Sequence, residues 1–580
     1  MTPDPPTDGT SPPTGGTDPA SDRTATVGDP DTAGDVVLPD GGEPAGRHES
    51  LWTATSEPTD YGPLDGDIRV DAAVVGGGIA GIATAFELVE RGRTVAVVER
   101  ERILDWTTGR TTAKVTALHG LVYDHLIDHF GVERARQYAD ANRAAIERVA
   151  DTVDRLGIDC EFGRAPAYTY AESRDDRRDV RREVDAARRL GLPASFVEST
   201  ELPYEVAGAV RFDDQAYFHP RKYLLALAER VADQGTGEGG GAGGQSGSAG
   251  GGLYEETVVT EVDDGDPCRL ETDRGEVVAD DVVLATHFPV SDHALYFSRL
   301  SPKRSYVLAA RLSGDTPDGM YYDPSEPYFS VRPHAGSESL VLIGGQNHRT
   351  GHADSTTDRY RKLERRARER FDVEAIEYRW ATQDYVSVDS VPFVGRAAPQ
   401  LDGVYVATGF GGWGMTNGVA ASVVLADQIT GRSNPWSDVY DPTRFEFGAS
   451  KSDLVSHNRH AMEHLLSDRV RGRPDLDLSG LAPGEATVAE KRDDPVAVYR
   501  DEDGAVHAVS AVCPHMGCLV SWNDGERSWD CPCHGSRFDV DGSVLDTPAV
   551  DDLDPVDLGA GDGGRGNGSR SGEDDPPPER

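Results

Sequence analysis

The chain is poor in several features, and each shortage excludes something. It has 6 Cys and 5 Met in 580 residues, too few cysteines for a disulfide-stapled secreted scaffold. Basic residues are scarce: 58 Lys and Arg stand against 101 Asp and Glu, a formal net charge of −43. A surface of that sign repels nucleic acid and anionic lipid, so neither is an expected partner. No apolar run approaches the roughly 20 residues of a membrane helix, so no membrane insertion is expected. The N-terminus lacks a charged start followed by an apolar core and has no twin-arginine pair. A cytoplasmic location is therefore expected.

The length allows two or three domains. Residues 1–55, rich in Pro, Gly, Thr and Asp, read as a disordered acidic tail, as do residues 558–580. The Gly-rich stretch 235–252 reads as a flexible surface insertion between a helical run, Lys222–Ala232, and a strand-like run, Thr257–Val262. The acidity is spread along the chain, as in the proteomes of salt-in halophiles; an ordinary acidic enzyme is the alternative.

Four of the six cysteines sit in two short loops: Cys513-Pro-His515-Met-Gly-Cys518 and Cys531-Pro-Cys533-His534-Gly-Ser536. Cys-x-His followed by Cys-x-x-His supplies two thiolates and two imidazoles, the ligand set of a Rieske [2Fe–2S] centre. A structural zinc site would accept the same four donors. Cys518 and Cys533, extra cysteines at mirrored places, favour the cluster, as do Pro514, Gly517, Pro532 and Gly535, which suit tight loops around its sulfurs. The motif resembles the Rieske proteins of cytochrome bc complexes over about 476–555, including Thr547-Pro548-Ala549. That resemblance implies Cys513, His515, Cys531 and His534 as ligands and a Cys518–Cys533 disulfide. It also implies that Ser536 bonds a cluster sulfide. Phe538 stands where high-potential members carry Tyr, which implies a lower potential here.

Upstream, residues 68–75 read as a buried strand, followed by Gly76-Gly77-Gly78-Ile79-Ala80-Gly81, the helical run Ile82–Arg91, and the strand Thr94–Val98 ending in Glu99 and Arg100. Strand, Gly-rich turn, helix, strand and acid form the dinucleotide fingerprint in its required context. Gly76 permits the turn, Gly78 the approach of a pyrophosphate to the helix N-terminus, and Gly81 close packing; Glu99 can bind a ribose hydroxyl. A second Gly-rich turn lies late, in GVYVATGFGGWGMTNGVAASVVLADQ at 403–428. It resembles the C-terminal FAD-contacting motif of D-amino-acid-oxidase-like flavoproteins. On that resemblance Gly409, Gly411, Gly412, Trp413, Gly414, Met415 and Thr416 line the isoalloxazine. Arg110, Thr111 and Thr112 contact the pyrophosphate and ribityl, and Val259 contacts adenine. The expected fold class is α/β: a Rossmann-like FAD-binding domain with an α+β substrate domain, D-amino-acid-oxidase-like, plus a small all-β Rieske domain. Residues 56–435 carry the first part, with substrate-domain pieces near 155–205 and 300–390; 436–475 form a helical connector and 476–557 the Rieske domain.

The expected function is an FAD-dependent oxidoreductase, a dehydrogenase rather than an oxidase. It takes a hydride from a small amine or amino acid at flavin N5 and passes electrons singly through the cluster to an external acceptor. Trp413, Gly414, Gln383 and His287 are the candidate catalytic residues. Trp380, Asp384, Tyr385, Tyr306, His348 and Arg396 are weaker candidates, for each of which packing is the plainer role. An NAD(P)H-linked reductase component is an alternative, although no second dinucleotide fingerprint follows. A non-catalytic redox sensor is another. A Rieske oxygenase is disfavoured, because fewer than fifty residues follow His534. His457, His460 and His464 fall on one helical face of the connector, read as a solvated face rather than a metal site.

Overall fold

The valine-rich run 68–75 forms the strand Ile68–Val75. It is buried on both faces, as strands of a parallel sheet covered by helices are. A computed structural model of the protein describes residues 43–235, 250–291, 294–353, 355–444, 475–492 and 494–558. The three connector histidines, most of the Gly-rich insertion and the tail after 558 lie outside them.

Around Ile68–Val75 the first sheet runs in the order Phe393–Arg396, Val404–Thr408, Glu276–Leu284, Ile68–Val75, Val95–Val98, Gly252–Tyr254. Along that order all neighbours are parallel except Phe393–Arg396 against Val404–Thr408; off it, Cys268–Thr272 pairs antiparallel with Glu276–Leu284 and Val259–Asp263. Helices Ile79–Glu90 and Gly414–Ile429 share one apolar core with this sheet. The strands come from three separated stretches, so the site they build is discontinuous in sequence. This is the mixed α/β architecture that the resemblance implies.

The second sheet has ten strands, dominated by the long antiparallel strands Leu300–Leu312, Ser337–Arg349 and Val373–Ser387. Its far end takes strands from 114–115 and 163–217. Helix Thr356–Arg370 packs its apolar side, Tyr360, Leu363 and Ala367, into the core of this sheet.

The small C-terminal part is all-β. Ala486–Lys491, Asp494–Arg500 and Val506–Ser510 form one sheet, and Ser521–Asn523, Ser528–Asp530, Arg537–Phe538 and Val544–Asp546 another. Its core joins Trp529 and Phe538 to the four motif cysteines.

The expectation of a disordered tail running to residue 55 fails for its last part. Arg47–His48 adds a parallel strand to Tyr378–Arg379. Ser50 caps the short helix Leu51–Ala54 by accepting from Trp52 N. Trp52 is 0% exposed, and its indole N–H donates to Thr111 O at 2.7 Å. One large aromatic overrides a composition that otherwise reads as disordered.

Candidate functional site

Between the two sheets lies a cavity, and the Gly-rich turn lines it. Gly76 has φ +104°, and a Cβ there would sit 2.6 Å from Ala285 O. A Cβ on Gly81 would sit 1.9 Å from Gly76 O. No other residue fits either position. Gly78 and the N-terminus of helix Ile79–Glu90 open on the cavity. Thr108 Oγ1 accepts from Ile79 N at 3.0 Å. Glu99 closes the second strand; its carboxylate accepts from Gly77 N at 2.7 Å and Glu101 N at 3.1 Å. Burial raises its pKa against those two backbone donors.

Further along, Thr111, Thr112 and Val259 line the walls with Thr257 and Val258. Gly412, Gly414 and Met415 also line the cavity and present the N-terminus of helix Gly414–Ile429, a positive dipole end suited to an anionic ring edge. The second sheet contributes Val307, Tyr328, Thr382 and Asp384. Turn, ribose acid, hydroxyl wall and second helix N-terminus together fit an extended dinucleotide with a ring system at its far end.

Of the residues expected here, Gly76, Gly78, Ile79, Ala80, Glu99, Arg100, Thr111, Thr112, Val259, His287, Gly412, Gly414 and Met415 line the cavity. Others face elsewhere. Arg110 is half-buried over the Trp106 ring at 4.9 Å, with Glu526 and Arg537 among its charged neighbours. Trp413 stacks on His119 at 4.8 Å. Thr416 Oγ1 donates to Thr116 O. Gln383 does not line the cavity: its side chain bonds Thr350 and Gly535 O, whereas its strand neighbours Thr382 and Asp384 line it. Gly77, Gly81, Gly409 and Gly411 shape the backbone behind the wall. Thr108 escaped the sequence reading because the turn Thr107–Arg110, invisible in the motif, brings it to the helix.

One missed group is a half-buried lysine. Lys114 Nζ donates to Thr112 Oγ1 at 3.2 Å and Ser330 Oγ at 3.1 Å. It is one hydroxyl removed from the cavity wall. Burial, with Arg332 nearby, lowers its pKa to about 7.

The two cysteine loops mirror each other. Cys513 N donates to Cys518 O at 2.8 Å, and Cys531 N to Ser536 O at 2.7 Å. Cys518 and Cys533 form a disulfide. Cys513 and Cys531 remain as buried thiols. They share a hydrogen bond that pulls the Cys513 thiol down and pushes Cys531 up. The Sγ atoms of Cys518, Cys531 and Cys533 lie within 4.8 Å of one another; with two of them oxidised, Cys531 alone of that group can bind a metal. The His515 and His534 rings are 5.0 Å apart and nearly perpendicular. Two buried thiols and two neighbouring imidazoles suit a cluster with unlike irons.

A family model described as FAD dependent oxidoreductase matches residues 71–428. The chain belongs to that family. A second model, described as Rieske [2Fe-2S] domain, matches residues 474–557. YhfW of Bacillus subtilis (strain 168), named as a Rieske 2Fe-2S iron-sulfur protein, is 35% identical over 88% of this chain and 98% of its own length. Gamma-glutamylputrescine oxidoreductase of Escherichia coli (strain K12) is 23% identical over 66% of this chain and 90% of its own. Glycine oxidase from Geobacillus kaustophilus shares the fold of the larger part, with a TM-score of 0.54 at 20% identity, covering 65% of this chain and 99% of that one. The family binds FAD and the Rieske domain a [2Fe–2S] cluster.

In this FAD-dependent oxidoreductase the Rieske domain is part of the cavity wall. Leu545, Asp546, Thr547 and Val550 line it. Arg100 donates to Leu545 O at 2.8 Å, and Thr547 Oγ1 to Thr286 O at 3.3 Å. His287 Nδ1 stands 3.8 Å from Asp546 Oδ1, an ion-pair rather than a hydrogen-bond distance. A buried charge cluster seals the rest of the contact. Glu526 accepts from Tyr360 Oη at 2.7 Å and lies 3.4 Å from Arg304 Nη2. Arg537 holds Asp530 and Asp546.

Proposed function

We propose that this FAD-dependent oxidoreductase dehydrogenates a small amine or amino acid and sends the electrons singly, through its Rieske cluster, to an external acceptor. One observation carries the reading: residues 545–550 of the Rieske domain form a wall of the cavity that fits FAD. A relative named for gamma-glutamylputrescine supports an amine or amino acid as the substrate class.

When bound, FAD takes up two electrons and the cluster carries one, which converts a hydride equivalent into single electrons. The chain's residues do the rest. Gly76 to Ile79 and Glu99 hold the dinucleotide, and Thr111 and Thr112 its middle. The helix N-terminus at Gly412 to Met415 supports negative charge on the reduced ring. Lys114, with a pKa of about 7, takes the proton of a substrate ammonium through Thr112 or Ser330, so the amine reacts in its neutral form. The Rieske domain, as part of the cavity wall, offers a one-electron acceptor in the same chain, which favours a dehydrogenase over an oxidase.

The test is an anaerobic panel of amines, amino acids and NAD(P)H, followed by flavin absorbance and cluster EPR. An amine or amino acid that bleaches the flavin and then reduces the cluster is the expected result. Bleaching by NAD(P)H alone identifies a reductase component instead. A flavin that no member of the panel reduces points to a redox-sensing module.

A further inference from the structure

The strand Val373–Ser387 is a wall shared by two sites. Thr382 and Asp384 face the cavity, while Gln383 and Tyr385 reach toward the second cysteine loop. Gln383 Nε2 donates to Gly535 O at 2.8 Å, and its Oε1 accepts from Thr350 at 2.8 Å. Tyr385 belongs to both sites. It lines the cavity, its ring edge-on to His287 at 4.7 Å and to Phe288 at 5.3 Å. Its hydroxyl donates to Thr547 O at 2.6 Å, with His534 O at 3.1 Å sharing the same hydrogen.

The contact at this loop is tight. A Cβ on Gly535 would sit 2.4 Å from Pro302 Cβ, and one on Gly351 2.7 Å from the Pro532 backbone. Arg349 donates to Cys533 O at 3.2 Å. The two histidine loops, alike in sequence, are therefore unlike in surroundings. His534 is 4% exposed. His515 is half-buried between exposed Pro514 and Met516.

We propose that Tyr385 and Gln383 are positioning residues that lock the His534 loop onto the flavin cavity, so that the cluster takes its electrons on the His534 side, from the FAD of its own chain. The proposal rests on the relay described under Proposed function and adds its route. Each cluster reduction removes one electron from reduced FAD. The external acceptor reoxidises the cluster between the two transfers, and the protons of the reduced ring pass to solvent. A buried hydroxyl bonded to the main chain of a ligand residue fixes the gap between the two centres and supplies a hydrogen-bonded path across it.

The test uses the full holoprotein and no substrate. A flash of photoreduced deazaflavin delivers one electron, and its redistribution between flavin and cluster is followed by absorbance. Amide exchange at 531–536 and the cluster's midpoint potential are measured alongside. In the wild type, redistribution is first-order and independent of protein concentration. Tyr385→Phe keeps the ring and loses the donor; it slows redistribution about tenfold, the effect of one buried hydrogen bond. It also raises exchange at 531–536 and leaves the midpoint potential unchanged. Gln383→Ala acts in the same direction. Asp524 of the Rieske part accepts from Ser355 Oγ at 2.8 Å and Thr356 N at 2.7 Å at the start of helix Thr356–Arg370; Asp524→Asn loosens the same interface away from the loop and is the control for a merely structural role. Wild-type redistribution in Tyr385→Phe and Gln383→Ala overturns the proposal, as does equal slowing by Asp524→Asn. Absence of flavin–cluster redistribution in the wild type overturns the relay itself. Failure of every amine and amino acid to bleach the flavin overturns the substrate class alone.

Discussion

Phe538 is 0% exposed in the core that also holds Cys513 and Cys531. A phenyl ring there offers no donor to a cluster sulfur, and donors to sulfur raise a cluster's potential. Phe538→Tyr should raise the midpoint potential by about 40 mV, the one-electron equivalent of about 1 kcal/mol from a single hydrogen bond; an unchanged titration would contradict this. Lys114 makes a prediction of opposite character. Its folded pKa of about 7 lies below the roughly 10.4 of a free lysine, so the unfolded chain binds the extra proton between those values. Stability therefore rises with pH from about 7 to 10, and the penalty is complete below 7. Lys114→Met should melt higher than the wild type at pH 6 and lose that advantage by pH 10, read from thermal melts across the range. At this scale the sequence was legible where backbone dictates the residue. Gly76 and Gly81 have no room for a side chain, and Glu99 follows its strand. It was not legible where a side chain chooses between two faces, as at Arg110, Gln383 and Trp413, because partners distant in the chain make that choice.

The helices and strands of the first sheet were readable for a local reason: apolar runs of the right length lie beside Gly-rich turns. The segment 43–55 was not, since its order comes from what it meets. Arg47–His48 pairs with Tyr378–Arg379, and Trp52 fills a hole beside Thr111. Ser50 Oγ also donates to Gly109 O, so this short element holds the hydroxyl loop that lines the cavity. Trp52→Ala should cost about 3–5 kcal/mol, as large-to-small core changes do. It should also weaken FAD retention, since Thr111 and Thr112 lose their support. Urea unfolding with and without FAD separates the two effects: a deficit that is the same with and without FAD would mean that the loop does not need the latch.

At the scale of the whole molecule, the two cofactor motifs predict two domains but not their contact. The contact is written in scattered charges, Arg304, Glu526, Asp530, Arg537 and Asp546, that resemble any other surface charge of an acidic chain until the fold buries them. Asp546 shows what their burial does. Desolvation alone would raise its pKa, but His287 and the Arg537 and Arg304 guanidiniums hold it at about 2. Glu526 is likewise held well below the usual carboxylate range, against its burial, by His48 and Arg304. Free Asp titrates near 3.9, so these carboxylates contribute stability that is fully present above about pH 4 and lost as the pH falls toward 2. Asp546→Asn removes the depressed group. At pH 6 it should destabilise the chain by about 2 kcal/mol, less than a fully orphaned buried arginine costs, because Arg537 keeps Asp530. As the pH falls from 4 toward 2 the wild type loses its advantage step by step, so the gap between the two melting curves narrows. Differential scanning calorimetry from pH 6 to pH 3 measures the gap directly. A gap that stays constant over that range would mean that Asp546 acts by shape rather than by charge, and that the seal between the Rieske domain and the flavin cavity is not electrostatic.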